Sequence, residues 1–366
     1  MTIPYVDLAA QHRLLRAELL RAFERVLAHG QFILGPEVAE LEARLATKLG
    51  VRHVVTCASG TDALLLALRM RGIGPGDEVI TVAHSFVATA NAIALSGAVP
   101  VFVDVDERTM VMDVNRATAA IGPRTRAIIP VHLNGYPIDL ATLRAAAGAR
   151  KIAVIEDCAQ ALGALRGGRP VGTDGIGCFS LHPLKALSAC GDAGFIAVLT
   201  NEDAAALRRM RNHGLVDRDH CIEVGLNSRL DTLQAALMLP KLEHVDAWLQ
   251  ARRDNARRYR EGLTGIVQLP PDDAHVEQSV SAFVVRHPER DLLRELLAAR
   301  GVDAKVHYPV PIHRQQAYAG RPVQALPVTE RVVREILSLP VSPELSQEQH
   351  QLVVAAVRDA VREARR

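Results

Sequence analysis

The chain has no excess of charge of either sign: 43 lysines and arginines balance 41 acids, a formal net charge of +2 over 366 residues. Bases and acids are interspersed, so the basic stripe that a nucleic-acid binder needs is missing. No apolar run approaches membrane-spanning length, although 49% of the residues are hydrophobic. The opening Met1-Thr-Ile-Pro-Tyr-Val-Asp7 lacks a basic stretch followed by an apolar one, so export is not expected and a soluble, cytoplasmic protein is. Cys57, Cys158, Cys178, Cys190 and Cys221 are odd in number and form no C-x-x-C pair, which fits neither a disulfide framework nor a structural zinc site. His84, His182 and His213 stand apart, with no pair at metal-ligand spacing, so no metal is expected. Gly72-Ile-Gly-Pro-Gly76 and Gly172-Thr-Asp-Gly-Ile-Gly177 lack the spacing of a dinucleotide fingerprint. Internal repeats and low-complexity linkers are missing as well.

What is present is alternation. Glu37 to Gly50 has helical spacing and a terminal glycine. Strands are expected at Val51–Cys57, Glu78–Val82, Pro100–Val103, Ala127–Val131, Ile152–Ile155 and Phe195–Leu199. Helices are expected at Thr61–Arg71, Val87–Ser96, from Asp139, and at Ala204–Arg211. Strand–helix alternation implies right-handed crossovers and an α/β fold with a mainly parallel central sheet covered by helices. Functional residues then gather in loops at the strand C-terminal ends. Asn227 to Leu263 reads as mostly helical, with Pro240 expected to kink or break it. From residue 264 the style changes: an alternating strand at Ser279–Val285, a helix at Asp291–Arg300, a short strand at Val302–Val306 and a closing helix from Ser346. Residues 1–263 are therefore expected to form a large α/β domain with an N-terminal helical segment, and 264–366 a smaller α+β domain.

Two residues carry the chemistry. The apolar run Ile152–Ile155 ends in Glu156-Asp157, and Lys185 lies in the Ser/His/Gly-rich segment Cys178–Gly194. An acid at the end of a buried strand, followed by such a lysine, is what a pyridoxal phosphate enzyme needs. The amine holds the cofactor aldehyde as a Schiff base, and the acid keeps the ring nitrogen protonated so that the ring accepts electrons. A strand-end aspartate can also simply satisfy a backbone or a lysine, but Gln160, Ser180 and His182 at short intervals weigh against that. Ser180 is placed for a phosphate oxygen. Ser59-Gly-Thr-Asp62 follows a strand and opens a helix, which suits a phosphate or a plain N-cap. Phe86 begins a helix after a strand, where an aromatic stacks on a planar cofactor or joins the core.

With these residues in place, the chain resembles the DegT/StrS sugar aminotransferases of the fold-type I pyridoxal phosphate superfamily. The matching segments include Ser59-Gly-Thr-Asp-Ala-Leu64, Phe86-Val-Ala-Thr-Ala-Asn-Ala-Ile93, Phe102-Val-Asp-Val-Asp106, His132-Leu-Asn-Gly135 and Ile155-Glu-Asp-Cys-Ala-Gln-Ala161. Further on come Phe179-Ser-Leu-His-Pro-Leu-Lys185, Gly191-Asp192, Arg211-Asn-His-Gly214, Gly225 to Ala236 and His307-Tyr-Pro-Val-Pro-Ile-His313, in the family's order. The resemblance implies that Lys185 carries pyridoxal 5′-phosphate covalently and moves the substrate proton. It puts Asp157 on the pyridinium nitrogen, Gln160 near the ring hydroxyl and Phe86 on the ring face. Gly60, Thr61 and Ser180 hold the phosphate, and Asn227 reaches that phosphate from the neighbouring subunit of a homodimer. Ala186, Ala193, Asn134 and Tyr136 depart from the commoner pattern and, lying near the active site, bear on the acceptor.

The implied reaction runs in two halves. L-Glutamate or L-glutamine loads the cofactor as pyridoxamine phosphate, and a keto sugar then takes the amine. The acceptor implied is a nucleotide-linked keto-hexose. Asn227-Ser-Arg-Leu-Asp231 resembles the version associated with amination at C3 rather than C4. A keto-cyclitol of an aminoglycoside-type pathway is the nearest alternative. A sugar dehydratase on the same fold carries histidine at the lysine position, so Lys185 argues against it. A non-catalytic regulatory protein is disfavoured by the intact Asp157, Gln160, Ser180 and Lys185.

Overall fold

Short apolar strands buried on both faces set the architecture. The structure is a computed structural model and describes residues 2–320 and 324–365. Its central sheet holds β1 (His53–Cys57), β2 (Glu78–Val82), β3 (Val99–Val103), β4 (Thr125–Ile128), β5 (Ala153–Asp157), β8 (Ile176–Ser180) and β9 (Gly194–Val198), in the spatial order β1-β9-β8-β5-β4-β2-β3. The pairs from β3 to β8 are parallel, and only β9 runs against its neighbours. The small strands β6 (Leu165–Arg166) and β7 (Arg169–Pro170) form a hairpin beside β10 (Val276–Glu277).

Alternate strand residues feed two cores. Val54, Phe179, Phe195 and Ala197 pack under α2 (Pro36–Leu49) and α8 (Thr232–Leu263). Val55, Cys178, Ile196 and Val198 pack under α3 (Gly60–Met70) and α7 (Asn201–Met210). The remaining crossovers are α4 (Ala88–Leu95), α5 (Val114–Ala119) and α6 (Ala141–Gly148). α1 (Leu8–His29) precedes the sheet and buries only Gln11, Leu15, Ala22 and Val26. α8 runs unbroken through Pro240, so the expected break does not occur. Proline in a helix interior costs about 3 kcal/mol, and here Ala236, Met238, Leu239 and Leu242 are packed into the core on both sides of it.

The C-terminal part builds a separate core from Tyr259, Phe283, Leu293, Leu337 and Val353, and Ile3 joins it. It contains β11 (Phe283–Arg286) paired with β12 (Ile336–Leu339), and α9 (Arg290–Ala299), α10 (Pro327–Glu335) and α11 (Gln347–Ala364). Two expected strands are shorter or missing. Ser279 and Ser281 give their N–H groups to Gly135 and Asn134 carbonyls, and Val280 has φ 50°, so pairing begins only at Phe283. Residues 302–306 form no strand: Val302 bridges Ile3 and Lys305 bridges Ser338, one residue at a time. β4 ends at Ile128 rather than Val131, just ahead of Pro130, which cannot donate to a ladder.

Candidate active site

The C-terminal ends of β1, β2, β5 and β8 open on one cavity of about 320 Å³. Gly60, Thr61, Phe86, Asp157, Gln160, Ser180 and Lys185 all line it. Seven of the eight candidate cofactor residues thus meet although the sequence scatters them. The eighth, Asn227, is exposed, outside this wall, in an isolated bridge with Asn212.

At one end, β1 turns into α3. Ser59 caps the helix by accepting the Asp62 N–H at 3.1 Å, and the Ala63 N–H goes to the Ser59 carbonyl at 3.0 Å. The N–H groups of Gly60 and Thr61 are left outside the helix ladder, beside the Ser180 side chain. A Cβ on Gly60 would lie 2.8 Å from Ser180 Cβ, so only glycine keeps this corner open. The N-cap and anion readings of this segment are therefore compatible: the serine caps while the next two amides stay free. Gly194 contributes from β9, since a Cβ there would come within 2.4 Å of the Ser59 backbone.

At the other end lies Asp157. Its Oδ1 accepts the Ala159 N–H at 3.0 Å and its Oδ2 the Thr89 hydroxyl at 2.8 Å. Burial pushes its carboxyl above the usual range, opposed by those two donors and by the Lys185 charge. Burial also pulls Lys185 below the usual lysine range and so favours a neutral amine, an effect partly offset by Asp157. Gln160 is locked in orientation: its Oε1 accepts the Asn134 N–H at 2.6 Å and its Nε2 donates to the Tyr308 hydroxyl at 3.2 Å. Phe86 is 54% exposed, so it is cavity wall and not core; its ring centroid is 5.4 Å from that of Tyr308.

Glu156, the neighbour of Asp157 along β5, faces another way. It binds His132 Nε2 at 2.8 Å, the Gly172 N–H at 2.9 Å and the Arg144 guanidinium. His132 Nδ1 accepts the Ile138 N–H, so Nε2 carries the proton. His132, Glu156 and Cys158 have metal-like spacing, but the carboxylate oxygens are already engaged by these donors.

Several lining residues escape sequence reasoning. Thr89 reads as an ordinary helical position. His307 and Tyr308 belong to a matching segment without an assigned role, and Tyr5 arrives from the far end of the chain. Tyr5 is held by Asp303 at its N–H and sits 5.4 Å, ring to ring, from His307. His307 donates or accepts at Ser338 Oγ at 2.9 Å, and burial together with Lys185 lowers it to about 4. Ala186 and Ala193, expected to bear on the acceptor, line no part of the cavity. Both pack against the core beneath α8. Asn134 and Tyr136 act through their partners: the Asn134 backbone fixes Gln160, and the Tyr136 hydroxyl donates to Asp273.

The cavity imposes a shape on what fills it. The Gly60–Ser180 end could hold an anion, Phe86 could face a flat ring, Asp157 could pair with a basic ring nitrogen and Lys185 could reach a carbonyl carbon. Pyridoxal phosphate carries all four groups on one small skeleton, and on this sheet they define a fold-type I pyridoxal phosphate-dependent aminotransferase. The chain belongs to the DegT/DnrJ/EryC1/StrS aminotransferase family, whose pattern matches residues 14–358. It is 44% identical over 358 residues to the UDP-N-acetyl-3-dehydro-α-D-glucosamine 3-aminotransferase of Acidithiobacillus ferrooxidans, covering 97% of each chain. The crystal structure of S. venezuelae DesV superposes with a TM-score of 0.96 at 41% identity, covering 98% of both chains. Bacillus subtilis NtdA, solved with the bound cofactor pyridoxamine phosphate, gives 0.91 at 31% identity over 99% of this chain and 85% of that one.

Proposed function

We propose that this aminotransferase moves an amino group from L-glutamate or L-glutamine to the keto carbon of a nucleotide-linked 3-keto-hexose. The observation that carries the proposal is the single cavity lined by Lys185, by Asp157 and by the open anion corner at Gly60, Thr61 and Ser180. The similarity to an enzyme named for a 3-dehydro sugar supports C3, as does the Asn227-Ser-Arg-Leu-Asp231 segment.

When bound, the cofactor supplies the electron sink and stores the amino group between the two halves of the reaction. The chain does the rest. Gly60, Thr61 and Ser180 anchor the phosphate and fix the ring's position. Phe86 confines one ring face, and Gln160 meets the ring hydroxyl. Asp157 keeps a proton on the ring nitrogen. Lys185 attaches the cofactor and, as a neutral amine, takes the proton from the donor's α-carbon and later returns one to the acceptor carbon. Tyr5, Tyr308 and Leu184 complete the cavity wall.

A homodimer with shared sites completes the reading. Leu14, Leu20, Phe23 and Leu27 of α1 are 83%, 48%, 39% and 52% exposed, followed by exposed Phe32, Ile33 and Leu34. Leu20, Phe23 and Leu27 share one face of the helix, and such an apolar face, continued by the 32–34 segment, suits a subunit interface. Asn227, unused by its own cavity, is offered to the partner's phosphate. Asn227→Ala is expected to weaken pyridoxal phosphate retention about tenfold while leaving the unfolding midpoint of the cofactor-free protein unchanged. Equilibrium dialysis checks the first and calorimetry the second; a fully active monomer would refute the shared site. Among the described residues no helix is long and apolar enough to cross a membrane, and we place the enzyme in the cytoplasm. We take residues 1–263 and 264–366 as its two domains, with Ile3 and the end of α8 (Ala256, Tyr259 and Leu263) lending side chains to the second core.

The deciding experiment is a half-reaction screen. The enzyme is loaded with glutamate, freed of the amino acid, and offered nucleotide-linked 3-keto and 4-keto hexoses and keto-cyclitols in turn. Return of the original visible spectrum with the 3-keto sugars is expected. Return only with a keto-cyclitol would replace the proposed acceptor.

A further inference from the structure

Asp157 is not held by backbone alone. The Thr89 hydroxyl donates to its Oδ2 at 2.8 Å, and Ser85 Oγ lies 3.1 Å from Thr89 Oγ1. A hydroxyl has one proton to give, and that of Thr89 goes to the carboxylate, so Ser85 must be the donor in the second bond. The order Ser85 to Thr89 to Asp157 is therefore directional. All three side chains are buried, at 3%, 1% and 4% exposure, so solvent does not readily substitute for a missing donor. Asp157 Oδ1 is fixed by the Ala159 N–H.

The placement matters as much as the bonds. Ser85, Phe86 and Thr89 lie together where the chain leaves β2 and winds into α4, and the Thr89 N–H bonds to the Phe86 carbonyl at 3.3 Å. One turn of chain thus supplies both the aromatic wall of the cavity and the hydroxyl that holds the acid.

We propose that Ser85 and Thr89 form a hydroxyl chain that orients Asp157 and holds it as a carboxylate facing the ring nitrogen. Both are positioning residues, and the inference rests on the reading of Asp157 given above. In a low-dielectric site a donor to a charged group is worth much more than one in water. Without the Thr89 proton, Asp157 takes up a proton of its own at higher pH and loses its grip on the cofactor. Ser85 acts one bond further away and has a smaller effect.

The test uses the purified enzyme and its Thr89→Val, Thr89→Ser and Ser85→Ala variants. Binding of pyridoxamine phosphate is titrated by fluorescence from pH 5 to 9, and the visible spectrum of each holoenzyme is followed over the same range. Thr89→Val keeps the side-chain shape and is expected to weaken binding about tenfold or more, with the acid-side loss of binding moved up by about one pH unit. Thr89→Ser restores both, and Ser85→Ala shifts both in the same direction by less. Wild-type affinity and pH profile in Thr89→Val would overturn the proposal. So would a Thr89→Ser variant as impaired as Thr89→Val, since the methyl group and not the hydroxyl would then matter. If Thr89→Val does not fold, an unchanged affinity and pH profile in Ser85→Ala refutes the chain. Failure of the wild-type enzyme to bind pyridoxamine phosphate would instead refute the reading of the site itself.

Discussion

Lys185→Ala is expected to lower turnover by about 10³-fold or more. In the proposed mechanism the lysine has two tasks, attachment of the cofactor and transfer of the substrate proton, and no neighbour replaces it in both. His182 and His307 also line the cavity, but burial lowers the pKa of both and the Lys185 charge contributes to each shift. His307 is further committed to Ser338. The fold should survive, because Lys185 sits in a loop and its backbone N–H, bonded to the His182 carbonyl at 2.8 Å, is untouched by the change. Two measurements check this. Stopped-flow absorbance with glutamate should show no first half-reaction, and borohydride treatment followed by denaturation should leave no label on the chain. Wild-type turnover would rule out the assignment of Lys185.

Asp157→Asn is expected to be nearly as severe, with a fall in turnover of about 10²-fold or more and weaker cofactor binding. The amide matches the carboxylate in size, so the result reads charge and not volume. Its NH₂ would face the Thr89 hydroxyl or the ring nitrogen, two donors toward which the carboxylate serves as hydrogen-bond acceptor. A neutral group cannot keep the ring nitrogen protonated, so electron withdrawal from the reacting carbon is lost. Separate determination of kcat and cofactor affinity distinguishes the two losses. An Asp157→Asn enzyme with normal kcat would show that the ring does not depend on this acid.

Asp157 and Lys185 could be recognised from sequence because their surroundings are local. A strand end and a polar loop carry their own signatures, and the residues that refine the site lie within a few positions. Six of the seven central strands were legible for the same reason, by apolar runs and flanking turns; β8 was not, because Gly175 and Gly177 break up its short apolar run. Thr89 was not, because its partner is 68 positions away and nothing in Phe86-Val-Ala-Thr89 marks one threonine as a donor. Tyr5 was still less visible, since it reaches the cavity from the opposite end of the chain. The failed strands at residues 279–282 and 302–306 have the same origin. Alternation describes a segment that could pair, but pairing depends on the neighbour. Here the neighbours are the 134–135 backbone, the single residue Ile3 and Ser338. Ala186 and Ala193 show the converse: closeness in sequence to Lys185 did not put them in the cavity wall.

The path of the first residues bears on how the protein is made. Tyr5 lines the cavity, yet what holds it there is late in the chain: Asp303 binds its N–H, His307 meets its ring and Ser338 its hydroxyl. A nascent polypeptide halted after Val198 already contains every strand of the central sheet. Its cavity would still lack that wall until translation had carried Ser338 clear of the ribosome. The active site is then among the last parts to be finished, with Tyr5 waiting through most of synthesis for its partners.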